Sequence, residues 1–368
     1  MRQCTLDSGS FTVTEIAEKT GFPRSTVQDW TNRLLIEQCI TLIAEKRGRH
    51  PARYAAISAI PEAACRRIFT TVDRNQVEIY HECLSRSCAA FCEYHHRRSG
   101  GILFRVTRDG TLLRELACVG DTEIDIGLHP RPAVGVVGVK KNADGTITQR
   151  IRCVGGPAYS LTDMITRAEG VCRVEPRRTG NLVEGDVTTK ALFYLAIGID
   201  DTDNADAGAT FALSLALLQH LSTIKGVFPI GHQVVMLLPS LDEKTAGNAA
   251  TFIELAVEPS SITLVSKRSH LFVADESYSP DWGIALKPGF LVSKALRMFG
   301  NRARHIRVER DEAFQVAESE SITVEGGRGI IGALAAVSCI GIDSTILLDP
   351  TKDIPIISSP PLEQSLAD

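Results

Sequence analysis

The sequence predicts a multidomain α+β protein, and three observations carry that expectation. The first 58 residues read as two short helices followed by two short strands, with a basic turn between the strands. A middle stretch alternates apolar strands with Asp-Gly turns, the signature of β-hairpins. The third part opens with the apolar run Ala191-Leu192-Phe193-Tyr194-Leu195-Ala196-Ile197-Gly198-Ile199, reads straight into Asp200-Asp201-Thr202-Asp203, and continues into the apolar helix pattern Phe211 to Leu218. At 368 residues the chain has length for two or three domains.

Composition excludes some classes. An apolar fraction of 44% and a charged fraction of 23% are those of an ordinary globular protein. No stretch approaches the ~18 apolar residues needed to span a bilayer, and Met1-Arg2-Gln3-Cys4-Thr5 does not start a secretory signal. A cytoplasmic location without membrane contact is expected. The net charge of −4 argues against a grip on nucleic acid by the whole protein and leaves only local basic faces. Ten cysteines without an export signal read as thiols or metal ligands rather than disulfides.

In the first part, Thr12 with Glu15 forms a capping-box pattern ahead of a helix to Lys19, with Gly21 at the turn. Pro23 suits the start of a second helix, in which Val27, Trp30, Leu34 and Leu35 recur at helical spacing. Strands at Ile40-Thr41-Leu42-Ile43 and 53–57 flank Lys46-Arg47-Gly48-Arg49-His50-Pro51. Residues 1–58 thus resemble a winged helix-turn-helix domain. Arg24, Ser25, Thr26 and Gln28 on the second helix, with Lys46, Arg47 and Arg49 on the wing, supply phosphate and base-edge donors, so a DNA or RNA partner is expected there. Eight basic against six acidic residues leave this part at +2, which keeps protein contacts as an alternative.

Residues 60–187 read as an α+β module. Its chemistry concentrates in His81, Cys83, Cys88, Cys92, His95 and His96. Helical spacing brings Cys88 and Cys92 to one face with His95 or His96. Cys83, Cys88, Cys92, His95 and His96 are therefore candidate ligands for Zn²⁺ or an iron–sulfur cluster, against the alternative of buried thiols with solvated histidines. Hairpins are expected around Asp109-Gly110 and Asp144-Gly145, a helix at about Ser160 to Arg167, and a charged linker from Glu175 to Glu184.

In residues 190–352, three carboxylates at the carboxyl end of a strand occupy the place where open α/β sheets bind ligands. Crowded carboxylates raise one another's pKa unless a cation compensates, and hard oxygen ligands suit Mg²⁺. Farther on, Gly326-Gly327-Arg328-Gly329 precedes the apolar helix Ile330 to Val337, a loop able to face a phosphate with backbone N–H groups and the Arg328 fork, or else a device for close helix packing.

Four segments in order resemble the catalytic region of the archaeal isoleucine-tRNA agmatinylcytidine synthetase family: Ile197 to Asp203, Gly208-Ala209-Thr210, Lys244-Thr245-Ala246-Gly247-Asn248-Ala249, and Gly326 to Ala336. The resemblance covers about residues 191–350. It implies a kinase-like region using ATP and Mg²⁺ joined to a ferredoxin-like part, with Asp200, Asp201 and Asp203 at the metal, Thr210 matching a Thr phosphorylated in the family, and Lys244, Asn248, Gly326, Gly327, Arg328 and Gly329 near the nucleotide. The family places an OB-fold and a zinc ribbon after this region, whereas this sequence ends soon after Asp349-Pro350 and has Phe211 where the family has a second Thr. Agmatine transfer to tRNA is therefore not expected. The Gly208-Ala209-Thr210 variant is also similar to a related group of methanogenesis marker proteins, which points to a methanogenic archaeal source. The expectation is an ATP- and Mg²⁺-dependent phosphotransferase or ATP-activating, ligase-like enzyme that meets nucleic acid through its winged helix. The alternative is a helix-turn-helix transcriptional regulator whose kinase-like domain senses a nucleotide. Expected partners are a nucleic acid, a nucleotide and a second copy of the chain as a homodimer.

Overall fold

A computed structural model describes residues 1–59, 64–242, 244 and 247–356. The chain divides into two compact units, Met1–Ala64 and Cys65–Asp368.

The first unit contains helices α1 (Arg2–Ser8), α2 (Val13–Thr20) and α3 (Arg24–Ile36) and an antiparallel pair, β1 (Ile40–Ala44) and β2 (Arg53–Ala56). The capping box forms as expected. The Glu15 N–H donates to Thr12 Oγ1 at 3.1 Å, and the Thr12 N–H donates to Glu15 Oε2 at 2.9 Å. Helix α1 was not expected from the sequence; it is tied to β2 by the Ala56 N–H, which donates to Thr5 Oγ1 at 2.9 Å. Phe11, Val13, Ile16, Val27, Ile40 and Tyr54 form the core. Trp30 does not join it. The indole is 41% exposed and packs edge-to-face on exposed Phe22, while Thr31 turns inward and donates its hydroxyl to the Val27 carbonyl.

The second unit begins with β3 (Cys65–Asp73), β4 (Gln76–Cys83), α4 (Arg86–Ser99), β5 (Leu103–Asp109), β6 (Leu112–Cys118) and the two-residue β7 (Gly120–Asp121). It continues with β8 (Val134–Lys141), β9 (Thr146–Val154), α5 (Gly156–Tyr159), β10 (Val171–Thr179) and β11 (Leu182–Asp200). The expected hairpins are β5–β6 and β8–β9. The segment Glu175 to Glu184 is not a linker: it is the end of β10, a tight turn and the start of β11, and the expected boundary near residues 187–190 falls inside β11.

Strand β11 runs for 19 residues and changes partners along its length. Over Leu182–Lys190 it pairs with β9 on one side and β10 on the other. At Ala191 and Leu192 it meets β3 in parallel. From Phe193 to Asp200 it lies between two later strands, β13 and β14. The elements after it are α6 (Thr210–Ser222), β12 (Val227–Met236), β13 (Ala249–Val257), α7 (Ile262–Glu276), β14 (Gly283–Pro288), α8 (Lys294–His305), α9 (Arg310–Ser319), β15 (Thr323–Gly326), α10 (Ile330–Val337) and α11 (Ser344–Leu347). They build an antiparallel sheet in the order β12-β13-β11-β14-β15.

This sheet is covered on both faces, which explains why the run 191–199 is apolar without alternation. Leu195, Ile197 and Ile199 pack on Leu217 and Leu221 of α6 and Val265 and Val273 of α7. Tyr194 and Ala196 pack on Leu296 and Phe299 of α8 and Leu334 of α10. Gly198 has a separate role. A Cβ there would lie 2.0 Å from the Ala333 carbonyl oxygen, so glycine is what lets α10 lie directly on the strand.

A buried charge cluster joins this sheet to the preceding hairpins. Arg114 on β6 makes a two-pronged contact with Glu78 on β4, at 3.0 and 3.1 Å, and reaches Glu254 on β13 at 2.7 Å. The Tyr80 and Tyr194 hydroxyls donate to Glu78 and Glu254. Burial pushes the Glu78 carboxyl up, but Arg114 and Tyr80 outweigh it and hold the group below the ordinary carboxylate range. Substituting Arg114→Leu strands two buried carboxylates and is expected to cost about 3–5 kcal/mol of stability. Denaturant unfolding followed by circular dichroism checks this, and a loss below about 1 kcal/mol would show that the cluster holds nothing together.

Candidate functional site

Strand β11 delivers Asp200 and Asp201 into a cavity of about 140 Å³ whose walls include Lys244, Asn248, Arg307, Arg310 and Arg328. Asp200 is the last strand residue, and its carboxylate lies against the first turns of α10. A Cβ on Gly332 would come within 1.8 Å of Asp200 Oδ2, so this glycine makes room for the acid. Asp201 sits at φ 58°, in the left-handed region that Asp and Asn tolerate better than most residues, and this turns the chain out of the sheet.

The turn divides the acidic motif. Thr202 and Asp203 are linked to Thr210, the first residue of α6. The Thr210 hydroxyl donates to Asp203 Oδ1 at 2.9 Å and accepts from the Thr202 N–H at 3.2 Å and hydroxyl at 3.1 Å. Thr210 is buried and does not line the cavity that holds Asp200 and Asp201. The structure thus places Asp203 and Thr210 together, one turn of chain away from Asp200 and Asp201.

Arg328, also lining the cavity, belongs to the glycine-rich loop and lies 3.8 Å from Asp281. The loop glycines serve close packing. The Gly327 N–H donates to the Trp282 carbonyl and the Gly329 N–H to the Asp281 carbonyl, both at 2.7 Å, and a Cβ on Gly326 would lie 2.1 Å from the Trp282 carbonyl oxygen. Those two N–H groups are therefore committed within the protein, and Arg328 is the loop's donor toward the cavity. Lys244 reaches the cavity with its Nζ 3.2 Å from the Leu241 carbonyl. Asn248 donates to the Leu238 carbonyl at 2.9 Å, which closes the base of its loop. Thr245 and Ala246 of the same motif lie outside the described residues.

Arg307 and Arg310 were missed by sequence reasoning. They flank the start of α9, and Arg310 is held by the Gly326 carbonyl at 2.9 Å and by the ring of Phe314. The signal was present as the run Arg302, Arg304, Arg307, Arg310. Of these, Arg304 is fully buried and donates to the Ile346 and Asp349 carbonyls, so spacing alone does not separate structural from cavity-facing arginines.

The cysteine and histidine candidates do not gather as the helix spacing implied. His95 accepts a hydrogen bond from the Ala133 N–H at 3.0 Å, and His96 pairs with buried Glu115 at 2.5 Å. Cys88 packs beside Cys83, Ala89 and Leu113. The ligand atoms that do converge are those of His81, Cys83 and Cys92, all within 4.8 Å of one another. In the first unit, Arg24, Ser25, Lys46, Arg47 and Arg49 are exposed, and Thr26 and Gln28 are half-buried, with Gln28 bonded to Asn32. Among the described residues, no helix is long and apolar enough to cross a membrane.

Charge in the cavity is unbalanced at the acidic end. Burial, then the charges of Asp201 and Asp203, push the Asp200 carboxyl well above its ordinary range. Burial also raises Asp201, against the opposing pull of Arg328. A raised folded-state pKa means that the fold holds these protons more tightly than the unfolded chain does. The resulting penalty is absent at low pH, where both states are protonated; it grows as pH climbs through the ordinary carboxylate range and is complete above the folded-state pKa. Asp200→Asn is therefore expected to raise Tm at neutral pH in EDTA by roughly 1–2 °C, the shift produced by about 1 kcal/mol in a unit of this size. The gain should vanish near pH 3. Thermal scans at both pH values check this, and a lower Tm for the variant at neutral pH would contradict the electrostatic reading.

Comparison with known proteins finds similarity over part of the chain. The family model described as the TiaS TCKD domain matches residues 196–282. A Methanocaldococcus jannaschii protein named only as uncharacterized protein MJ0921 is 24% identical over 270 residues, 72% of this chain and 89% of its own length. The tRNA 2-agmatinylcytidine synthetase TiaS of Pyrococcus horikoshii is 31% identical over 152 residues, covering 39% of this chain and 35% of that protein. The same synthetase from Methanocorpusculum labreanum is 28% identical over 163 residues, covering 42% and 38%. The chain thus spans less than half the length of these synthetases. The crystal structure of TiaS in complex with its tRNA and ATP aligns with 41% of this chain and 37% of that one, at 26% identity and a TM-score of 0.38. The matched residues 196–282 run from the second half of β11 to the loop before β14, so the similarity to the TiaS TCKD domain takes in the acidic motif and α6.

Proposed function

We propose that residues 190–352 form an ATP- and Mg²⁺-dependent phosphotransferase or ATP-activating enzyme that acts in RNA modification, and that residues 1–58 are a winged helix that brings it to nucleic acid. One observation carries the catalytic reading: two crowded acids, Asp200 and Asp201, share a cavity with Lys244, Arg307, Arg310 and Arg328. Phosphoryl transfer asks a protein mainly for positioning and charge neutralisation, and this cavity is lined by charges of both signs.

The acids fit a hard divalent cation. Burial first, and neighbouring carboxylates after it, raise both groups, and a bound Mg²⁺ would stabilise their charged forms. Asp200 and Asp201 would hold the ion, which when bound supplies neutralisation of phosphate charge. Arg328, Lys244, Arg307 and Arg310 would orient the phosphates, Arg328 as a planar fork and Lys244 as a point charge. Asp203 keeps the Thr210 hydroxyl polarised at the head of α6, in keeping with the family role of a threonine at this position. The synthetases similar to this chain are named for a modified nucleoside of tRNA, which supports RNA as the substrate class. The exposed Lys46, Arg47 and Arg49 of the β1–β2 turn and Arg24 and Ser25 of α3 support a nucleic-acid surface on the first unit.

The test is ³¹P NMR of ATP and Mg²⁺ incubated with the full chain and total archaeal RNA, alongside Asp201→Asn, a substitution that the left-handed backbone tolerates. The wild type is expected to convert ATP to ADP and phosphate, or to AMP and pyrophosphate, with the variant slower by a hundredfold or more, on the order of the several kcal/mol that a metal contributes to such a transition state. Equal turnover by the variant would remove the acidic loop from the chemistry. ATP binding without turnover would favour the nucleotide-sensing regulator.

A further inference from the structure

We propose that Cys65, His81, Cys83 and Cys92 form a closed, mononuclear Zn²⁺ site that staples helix α4 to strands β3 and β4. The site lies outside residues 196–282, and its ligands differ from those that helical spacing selects. Cys65 opens β3, His81 and Cys83 end β4, and Cys92 projects from the second turn of α4. Antiparallel pairing sets Cys65 opposite Cys83, while His81 and Cys83, two residues apart, share one face of β4. The four residues thus come from three elements, with spacings of 15, 1 and 8 residues between successive members.

The contacts are those of a ligand set. His81 Nε2 lies 3.0 Å from Cys65 Sγ and 3.9 Å from Cys83 Sγ, and the ligand atoms of His81, Cys83 and Cys92 fall within 4.8 Å of one another. Zn–S bonds near 2.3 Å and Zn–N bonds near 2.0–2.1 Å in a tetrahedron require ligand atoms about 3.6–3.8 Å apart. The two His81–sulfur separations bracket that range, and Cys65 stands outside the group of three whose atoms all lie within 4.8 Å, joining it through His81. Cys65 and Cys83 are buried, and His81 and Cys92 are half-buried, so the cluster is sealed on the strand side and reachable from the helix side. His81, Cys83 and Cys92 converge directly, and Cys65, 3.0 Å from His81 Nε2, would close the set as the fourth protein ligand, the pattern of a structural site rather than a catalytic one.

The surroundings support the same assignment. The half-buried Cys88 and buried Ala89 and Leu113 wall the cluster with apolar surface. Buried His96, on the same helix as Cys92, is held by its pairing with buried Glu115 and so stays out of the ligand set.

The test uses the full chain, expressed with added zinc and iron and purified without oxygen. Elemental analysis is expected to give about one zinc per chain, falling at least about fivefold in Cys83→Ser and in Cys92→Ser, with Cys39→Ser, at an exposed thiol, unchanged. If the ligand variants fail to fold, wild-type protein stripped by a chelator and refilled with Co²⁺ gives the second readout. Intense thiolate-to-cobalt absorption in the near ultraviolet, with tetrahedral d–d bands in the red, supports the site. Folded wild type with less than about 0.1 metal per chain, iron with equimolar sulfide, or a cobalt spectrum without thiolate bands would overturn it.

Discussion

Everything near the acidic motif depends on one constraint: β11 must be buried on both faces and paired on both edges up to Ile199. A strand so enclosed can only be apolar, and the chain that leaves it must turn away from the sheet at once. Asp200 occupies the point where enclosure ends. Its carboxylate is accommodated because Gly332 leaves space in α10, and α10 in turn lies close to the strand because Gly198 has no side chain. The site is therefore built by backbone proximity as much as by the acids themselves. The same strand, continued backward, lies between β9 and β10, so the sheet that carries the acidic motif and the preceding hairpins share a single strand.

The buried cluster of Glu78, Arg114 and Glu254 complements that covalent continuity. It connects β4 and β6 to β13, next to the point where β3 meets β11. Isolated charges there would be costly, and the guanidinium satisfies two carboxylates while two tyrosine hydroxyls fill further acceptor sites. In the cavity the balance is reversed. Among the described residues, Asp200 and Asp201 lack such a two-pronged partner: burial raises both carboxyls, and the pull of Arg328 opposes it at Asp201.

Much of this was legible in the sequence where the signal was local. The capping box at Thr12 and Glu15, the Asp-Gly hairpins and the apolar strand ending in Asp200 all depend on neighbouring residues, and all formed. What failed depended on distant packing. Trp30 has helical spacing with Val27 but faces outward, because the small core of the first unit is already filled by Phe11, Ile16 and Tyr54. Glu175 to Glu184 is charged because it lies at the exposed edge of β10, not because it is a linker. His95 and His96 share the helix with Cys92 but are claimed by Ala133 and Glu115, whose positions no spacing along α4 encodes. Arg307 and Arg310 were hidden among arginines of similar spacing that serve buried carbonyls.

The most direct measurement is calorimetric titration of the full chain with a non-hydrolysable ATP analogue, with and without Mg²⁺. The account predicts binding that weakens at least tenfold, about 1.4 kcal/mol, when Mg²⁺ is replaced by EDTA, because the nucleotide then meets Asp200 and Asp201 without a neutralising ion. Equal affinity in EDTA, or no binding at millimolar nucleotide with Mg²⁺ present, would contradict the claim that the end of β11 is a metal–nucleotide site.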